Sequence, residues 1–507
     1  MLKEFNYENE IEKPVYKEEL NKLKSEMASL QLKIREKNLS VIVLFEGPST
    51  SGKGHSISQT ILSLDPRFFT TYSITKPNDV EIRMPDMWRY WKKIPCNGQI
   101  CFMDRSWYQD LFSVCEKNEH LSGSINVKEK LNSIEYFERL LISGKTLIIK
   151  IYITISKKEQ YRRLKSLSKD KNTAWRVKKQ DWDKNDKYES NLKIMDYILE
   201  NTNYEFSPWH IIDGTFKRNR NVAIYSAIIN SVKNAFSSKF IEVRNQAAKF
   251  FLDAKFNFIN TTKINEVDLN RSMDKAEYKS QLNKLQKELF ELQNVLYYKK
   301  IPMVIVFEGW DAAGKGGVIK RVAGGLDARG YNVNPISAPT DIELNHHYLW
   351  RFWKKIPKNG HVAIYDRSWY GRVMVERIEN ITPECDWKRA YNEINFFEKE
   401  LHENGCIIVK FWLQISKDVQ LQRFKERENT PSKNWKITSE DWRNRAKWDE
   451  YNVAVDEMIE KTSTEFAPWN IVPSNDKLFA RIYALKTLIK IIQEHLDKDG
   501  NIKIKDN

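Results

Sequence analysis

The chain has 507 residues, of which 41% are hydrophobic and 30% charged. That length calls for two large domains or several small ones, and the balance excludes both a disordered polyelectrolyte and a membrane bundle. The 83 basic and 68 acidic residues leave a formal charge of +15, a field that draws polyanions such as nucleotides, polyphosphate, nucleic acid or anionic lipid. Five cysteines, Cys96, Cys101, Cys115, Cys385 and Cys406, form no CxxC pair, which argues against a disulfide framework or a zinc site and for a reducing compartment. The start, MLKEFNYENEIEKP, lacks an apolar leader core, and no run of about 18 apolar residues follows it. The chain reads as cytoplasmic, with no membrane partner.

In chain order, leucines and a methionine spaced three and four apart (Leu20, Leu23, Met27, Leu30) predict an amphipathic helix. The β-branched run VIVLF at 41–45 predicts a strand buried on both faces. A glycine-rich loop follows it, and the runs QICFM and LIIKIYITI, separated by helical segments, extend the pattern. The whole order then recurs. YKEELNKLK from Tyr16 returns as YKSQLNKLQ from Tyr278, Phe45-Glu46-Gly47 as Phe307-Glu308-Gly309, and DRSWY at Asp104 as DRSWY at Asp366, all offset by 262. Later the offset is 260, with Trp435 matching Trp175 and Pro468-Trp469 matching Pro208-Trp209. The expectation is an α/β protein of two tandem domains, 1–262 and 263–507, each a parallel sheet flanked by helices. Their join is expected near 245–272, where KFNFINTTKINEVDLNRS sustains no period.

In the second copy, Gly309-Trp310-Asp311-Ala312-Ala313-Gly314-Lys315-Gly316-Gly317 meets the pattern G-x-x-x-x-G-K between a strand and a helix. Backbone amides of such a loop converge at a helix N-terminus and favour a phosphate, and the lysine adds a point charge. Seven of the 18 glycines lie between Gly309 and Gly330. The hydroxyl residue that normally ligates Mg²⁺ is replaced by Gly316, so the metal is expected on two carboxylates: Asp311 in the loop and Asp366, where the strand HVAIYD ends. Arg367, Arg372 and Arg377 bring guanidinium groups to the same segment, and guanidinium forks suit phosphate oxygens. Arg423 and Arg427, four apart on one helix face, with Lys433, Trp435 and Lys436 beyond, read as a basic lid. The tryptophans, among them Trp350, Trp353, Trp369, Trp442, Trp448 and Trp469, read as core anchors rather than stacking platforms.

GWDAAGKGG, HHYLWRFWKKIPKNG, YDRSWYGRVMVER and NWKITSEDW resemble the motifs of the polyphosphate kinase 2 family, and the two-copy arrangement is similar to its fused polyphosphate:AMP phosphotransferases. The resemblance implies a P-loop kinase fold with a helical lid, Mg²⁺ dependence, and phosphoryl transfer from inorganic polyphosphate to AMP, giving ADP. It assigns Lys315 to the phosphate loop, Asp311 to the metal or the accepting phosphate, Asp366 and Arg367 to the second motif, and Arg423 or Arg427 to the lid. Arg372 is expected among the phosphate ligands. A homo-oligomer stays open, and no nucleic-acid partner is expected.

The copies differ where the chemistry lies. Gly47, Gly52, Lys53, Gly54, Asp104 and Arg105 persist in the first, but Asp311 becomes Ser49, Gly317 His55, Arg372 Asp110, Glu376 Val114 and Arg427 Leu167. The first copy therefore reads as catalytically weak or inactive. Two alternatives remain at this level: the same site acting on nucleoside diphosphates or in reverse, and a non-catalytic binder of polyanions or nucleic acid. A carboxylate inside the phosphate loop counts against the second.

Overall fold

A computed structural model of the chain describes residues 2, 9–118, 121, 124–431, 434 and 437–496. Ser40–Glu46 (β1) is buried at every position, as its β-branched composition requires of a strand covered on both faces. Phe69–Ser73 (β2), Ile100–Asp104 (β3), Thr146–Thr154 (β4) and Trp209–Asp213 (β5) complete a parallel sheet in the order β2-β3-β1-β4-β5. The second sheet is built from Met303–Gly309 (β6), Tyr331–Pro335 (β7), Val362–Asp366 (β8), Ile407–Gln414 (β9) and Trp469–Pro473 (β10), in the order β10-β9-β6-β8-β7. The two orders are the same arrangement read from opposite edges. The predicted α/β duplication is thus present strand for strand.

Each copy forms its own unit. The first comprises the chain up to Lys76 and Tyr90–Phe250, and takes in Asp341–His347; the second comprises Phe251–Thr340 and the chain from Tyr348, and takes in Pro77–Arg89. The predicted opening helices are Lys13–Glu36 and Lys275–Lys299, packed on Lys217–Ala235 and Lys477–His495 respectively. The early part of the expected join is helical, Ser238–Asp253, with Phe240, Ala247 and Phe251 buried at helical spacing. Trp350, Trp353, Trp369, Trp448 and Trp469 are buried, whereas Trp442 is 37% exposed and sets its edge on Phe424. Trp435, Lys433 and Lys436 lie outside the described residues. All five cysteines are free thiols, and among the described residues no helix is long and apolar enough to cross a membrane.

The motif DRSWY is tied down by a charge pair with no access to water. Lys410 on β9 and Glu398 on the helix Glu384–Glu403 are fully buried and 2.7 Å apart. Tyr370 and Trp369 donate to the same carboxylate at 2.7 and 3.1 Å, and Lys410 also reaches the Thr462 carbonyl at 2.7 Å. Burial pulls the Lys410 ammonium down and pushes the Tyr370 hydroxyl well up. The first unit repeats the arrangement with Lys150, Glu138, Tyr108 and Trp107. Removing one partner leaves an uncompensated buried charge, which costs about 3–5 kcal/mol. Glu398→Ala is therefore expected to lower the stability of the second unit by that amount in chemical denaturation, while Lys399→Ala, which removes an exposed helix-surface pair, changes it by less than about 1 kcal/mol.

Candidate active site

Register places the site. Phe307 on β6 lies opposite Asp366 on β8, so the end of β8 stands beside the start of the glycine loop, at the carboxyl edge where parallel sheets hold ligands. Gly309 leaves the strand at φ 147°, and a Cβ there would sit 2.7 Å from the Leu413 carbonyl oxygen, so only glycine fits. Gly314 enters the helix Lys315–Ala323 at φ 110°, a left-handed conformation that other residues resist. Added Cβ atoms at Gly314 and Gly316 would meet nothing within 4 Å; these glycines front open space. The amides of Gly314, Lys315 and Gly316 have no partner among the described residues, which leaves them for an anion. Lys315 folds back to donate to the carbonyls of Gly309 and Trp310 at 2.5 and 3.3 Å.

The two carboxylates differ. Asp311 Oδ1 accepts from Arg367 at 3.2 Å and Oδ2 accepts from the Asn444 amide at 2.9 Å. Asp366 makes no side-chain hydrogen bond with a described residue, and Arg367 feels both carboxylates and Glu308. Burial lowers the Arg367 pKa, but those negative neighbours raise it above its ordinary value. Arg367 itself is held at φ 65°, a conformation costing on the order of 1–3 kcal/mol and typical of functional positions. Glu308 is buried beneath the loop, accepts from Ser368 at 2.8 Å, and has its carboxyl pKa raised by burial. Among the described residues no cluster of three metal-ligating side chains occurs. Two carboxylates nonetheless fit Mg²⁺, which commonly takes one or two protein carboxylates and completes its shell with water and substrate phosphate.

Arg423 departs from the expected lid. It is 5% exposed, and its guanidinium donates to the carbonyls of Ala312 and Ala313 at 2.9 and 3.0 Å and of Ser474 and Asn475 at 2.8 Å each. Burial brings its pKa down to about 10. It braces the loop from behind, because its four donor bonds all end on backbone oxygens. The Arg427 side chain, one turn on, makes no hydrogen bond or ion pair with a described residue and lines a cavity of about 260 Å³ with Glu426, Lys477 and Arg481 behind Ala312, Ala313 and Gly317. Arg372 is engaged by Glu376 at 2.5 Å and by Thr382, and stacks 4.3 Å from the Tyr348 ring. Arg377 pairs with Glu457 at 2.6 Å. The tertiary structure therefore gathers Asp311, Lys315, Asp366 and Arg367 around the loop, leaves the Arg427 side chain beside it without a partner among the described residues, and gives Arg372, Arg377 and Arg423 partners within the protein.

Two contributors, Asn444 and Gln420, lie outside the motifs, and a third, Trp310, lies inside the loop motif with no role expected of it. Asn444 sits in Ser439–Ala446, a helix started by a Thr438–Asp441 capping box. Gln420 donates to the Asp311 carbonyl at 3.1 Å. Trp310 stacks on Trp448 at 3.6 Å and donates to Gln414 at 2.9 Å, which pins the loop's second residue. The one sequence signal for Asn444 is its replacement by Lys184 at the offset of 260.

A profile of the polyphosphate kinase 2 family matches residues 10–239 and again 272–500. The chain belongs to the polyphosphate kinase 2 family. It is 38% identical to a polyphosphate:AMP phosphotransferase of Pseudomonas aeruginosa over 490 residues, covering 96% of this chain and 98% of that one. It is 36% identical to the protein of the same name from Pseudomonas syringae pv. tomato, across 96% and 97% of the two chains. A crystal structure of polyphosphate kinase 2 from Pseudomonas aeruginosa superposes with a TM-score of 0.81 at 36% identity, over 96% of this chain and 97% of that one. Both copies thus carry the family fold, and Arg423 and its counterpart Arg163 brace both loops. Arg423→Lys, which cannot span four carbonyls, is expected to lower the stability of the second unit by about 2–3 kcal/mol in chemical denaturation; unchanged stability would return Arg423 to the lid.

Proposed function

We propose that the second unit transfers a phosphoryl group from inorganic polyphosphate to AMP, giving ADP and a polymer shorter by one phosphate. The observation that carries this reading is Asp311: a carboxylate inside a phosphate loop, held by Arg367 and Asn444, serves chemistry that needs a cation there and is a liability in a surface that only binds anions. Similarity across both copies to polyphosphate:AMP phosphotransferases supports the choice of donor and acceptor.

In the reaction an AMP phosphate oxygen, already ionised near neutral pH, forms a bond to the terminal phosphorus of the polymer. The bridging P–O bond breaks, and its electron pair leaves with the shortened chain. No proton has to be removed, so the protein's work is alignment and charge compensation. The amides of Gly314, Lys315 and Gly316 and the Lys315 ammonium hold the transferring phosphate, once Lys315 has exchanged its loop carbonyls for phosphate oxygens. Arg367 turns its guanidinium to the charge that develops there. Arg427, with Lys477 and Arg481, carries the polymer behind the loop. Asp311 and Asp366 would hold Mg²⁺, which supplies charge neutralisation across the phosphates.

ADP formation from AMP, polyphosphate and Mg²⁺ is the direct test; inactivity toward AMP, GMP, ADP and GDP alike would end the enzyme reading. Lys315→Ala and Asp366→Asn are each expected to lower kcat roughly a hundredfold or more with an unchanged melting temperature. EDTA is expected to abolish turnover and added Mg²⁺ to restore it, as followed by ADP release.

A further inference from the structure

The first unit keeps the shape of the phosphate loop and changes its charge. Gly47, Thr50, Gly52 and Arg105 hold φ of 136°, 64°, 108° and 67°, against 147°, 62°, 110° and 65° at Gly309, Ala312, Gly314 and Arg367. Two of these are non-glycine residues in the left-handed region, strain that the surrounding structure has to maintain. Lys53 caps the loop as Lys315 does, at 2.7 and 3.0 Å from the carbonyls of Gly47 and Pro48.

Two differences beside the loop make it more positive, whereas Asp110 and Leu167 in place of Arg372 and Arg427 act the other way. Ser49 in place of Asp311 removes a negative charge, and Lys184 in place of Asn444 adds a positive one. Together they supply the charge of a divalent cation. Ser49, Arg105 and Lys184 line one cavity beside the loop, and neither Arg105 nor Lys184 makes a side-chain hydrogen bond or ion pair with a described residue. Burial pulls Lys53 down to about 8, and Arg105 and Lys184 pull it the same way, against Asp104 and Glu46. Lys184 is lowered by burial and then by Arg105, against Glu116 and Asp181. Arg105 and Lys184 thus press on Lys53 from one side, while Asp104 and Glu46 partly offset them. In front of the loop a cleft of about 920 Å³ is lined by Lys53, His55, Arg105, Arg162 and Arg176 together with the carboxylates of Asp104 and Asp181. Thr50 Oγ1, His55 Nε2 and Asp104 Oδ1 on its wall are buried without a partner among the described residues, and the first two can donate to phosphate oxygens.

We propose that the first unit is a binding site for a condensed phosphate chain that needs no divalent metal, with the Lys184 ammonium supplying the charge that the metal brings in the second unit. The inference rests on the reading of the second loop as a phosphate site, yet it is read by binding in the absence of metal rather than by turnover. Its use would be to tether the polymer on the same chain as the catalytic unit, raising its local concentration there.

The test is calorimetric titration of tripolyphosphate into the full chain carrying Lys315→Ala, in EDTA. Binding of one equivalent is expected. Adding Lys53→Ala or Lys184→Asn should weaken it at least tenfold, with melting temperatures confirming folded protein. Installing Ser49→Asp with Lys184→Asn should make binding depend on added Mg²⁺. Titration with ATP separates the sources of such a chain: tighter tripolyphosphate assigns the site to the free polymer, tighter ATP to a nucleotide tail. No binding in EDTA, or affinity indifferent to both Lys53→Ala and Lys184→Asn in folded protein, overturns the proposal. ADP formation by the unmodified chain, measured separately, shows whether the second unit's reading stands.

Discussion

The geometry of both sites depends on a lysine–glutamate pair sealed from water. Lys410 and Glu398 in the second unit, and Lys150 and Glu138 in the first, have fully buried side chains. A buried charge is tolerable only when its neighbours satisfy it, and here those neighbours are the tryptophan and tyrosine of DRSWY. Once Trp369 and Tyr370 are anchored, the preceding Asp366 and Arg367 have little freedom, and the left-handed Arg367 can be held against its intrinsic preference. The pair contacts no proposed substrate group. It makes the end of β8 rigid, which is what a site built on positioning demands.

A second constraint acts on the loop. Arg423 ties Ala312 and Ala313 to the chain after β10, and Arg163 ties Thr50 and Ser51 to Gly214 and Thr215 in the same way. Because framework bonds run to backbone oxygens, side chains on the front of the loop are free to diverge without loss of shape. That is the pattern between the copies: brace, ion pair and torsions recur, while Asp311, Arg372 and Arg427 do not. At the positions of Asp311 and Asn444 the first unit is more positive, with Ser49 and Lys184, whereas Asp110 and Leu167 lower the charge at the positions of Arg372 and Arg427. A mixed balance suits a metal and a reacting phosphate, and a positive one suits an anion alone.

The sequence by itself determined the duplication, the α/β class and the order of strands and loops, because buried parallel strands are written as β-branched runs and a repeat that holds offsets of 262 and then 260 over so many residues leaves no other alignment. It also marked Asp311, Lys315, Asp366 and Arg367, whose residue types stand at fixed distances from a strand end and need no long-range information. Which arginines are free was decided only by tertiary structure. Arg423 and Arg427 are alike in a helical pattern, and only the packing of Lys417–Glu428 against the back of the loop separates a buried brace from an open cation. Asn444 and Lys184 lie outside every motif, since Asn444 meets Asp311, and Lys184 the cavity it shares with Ser49, across more than 130 residues of chain. Spacing along a sequence reports which face of an element a residue occupies; what that face meets is settled by how the elements pack.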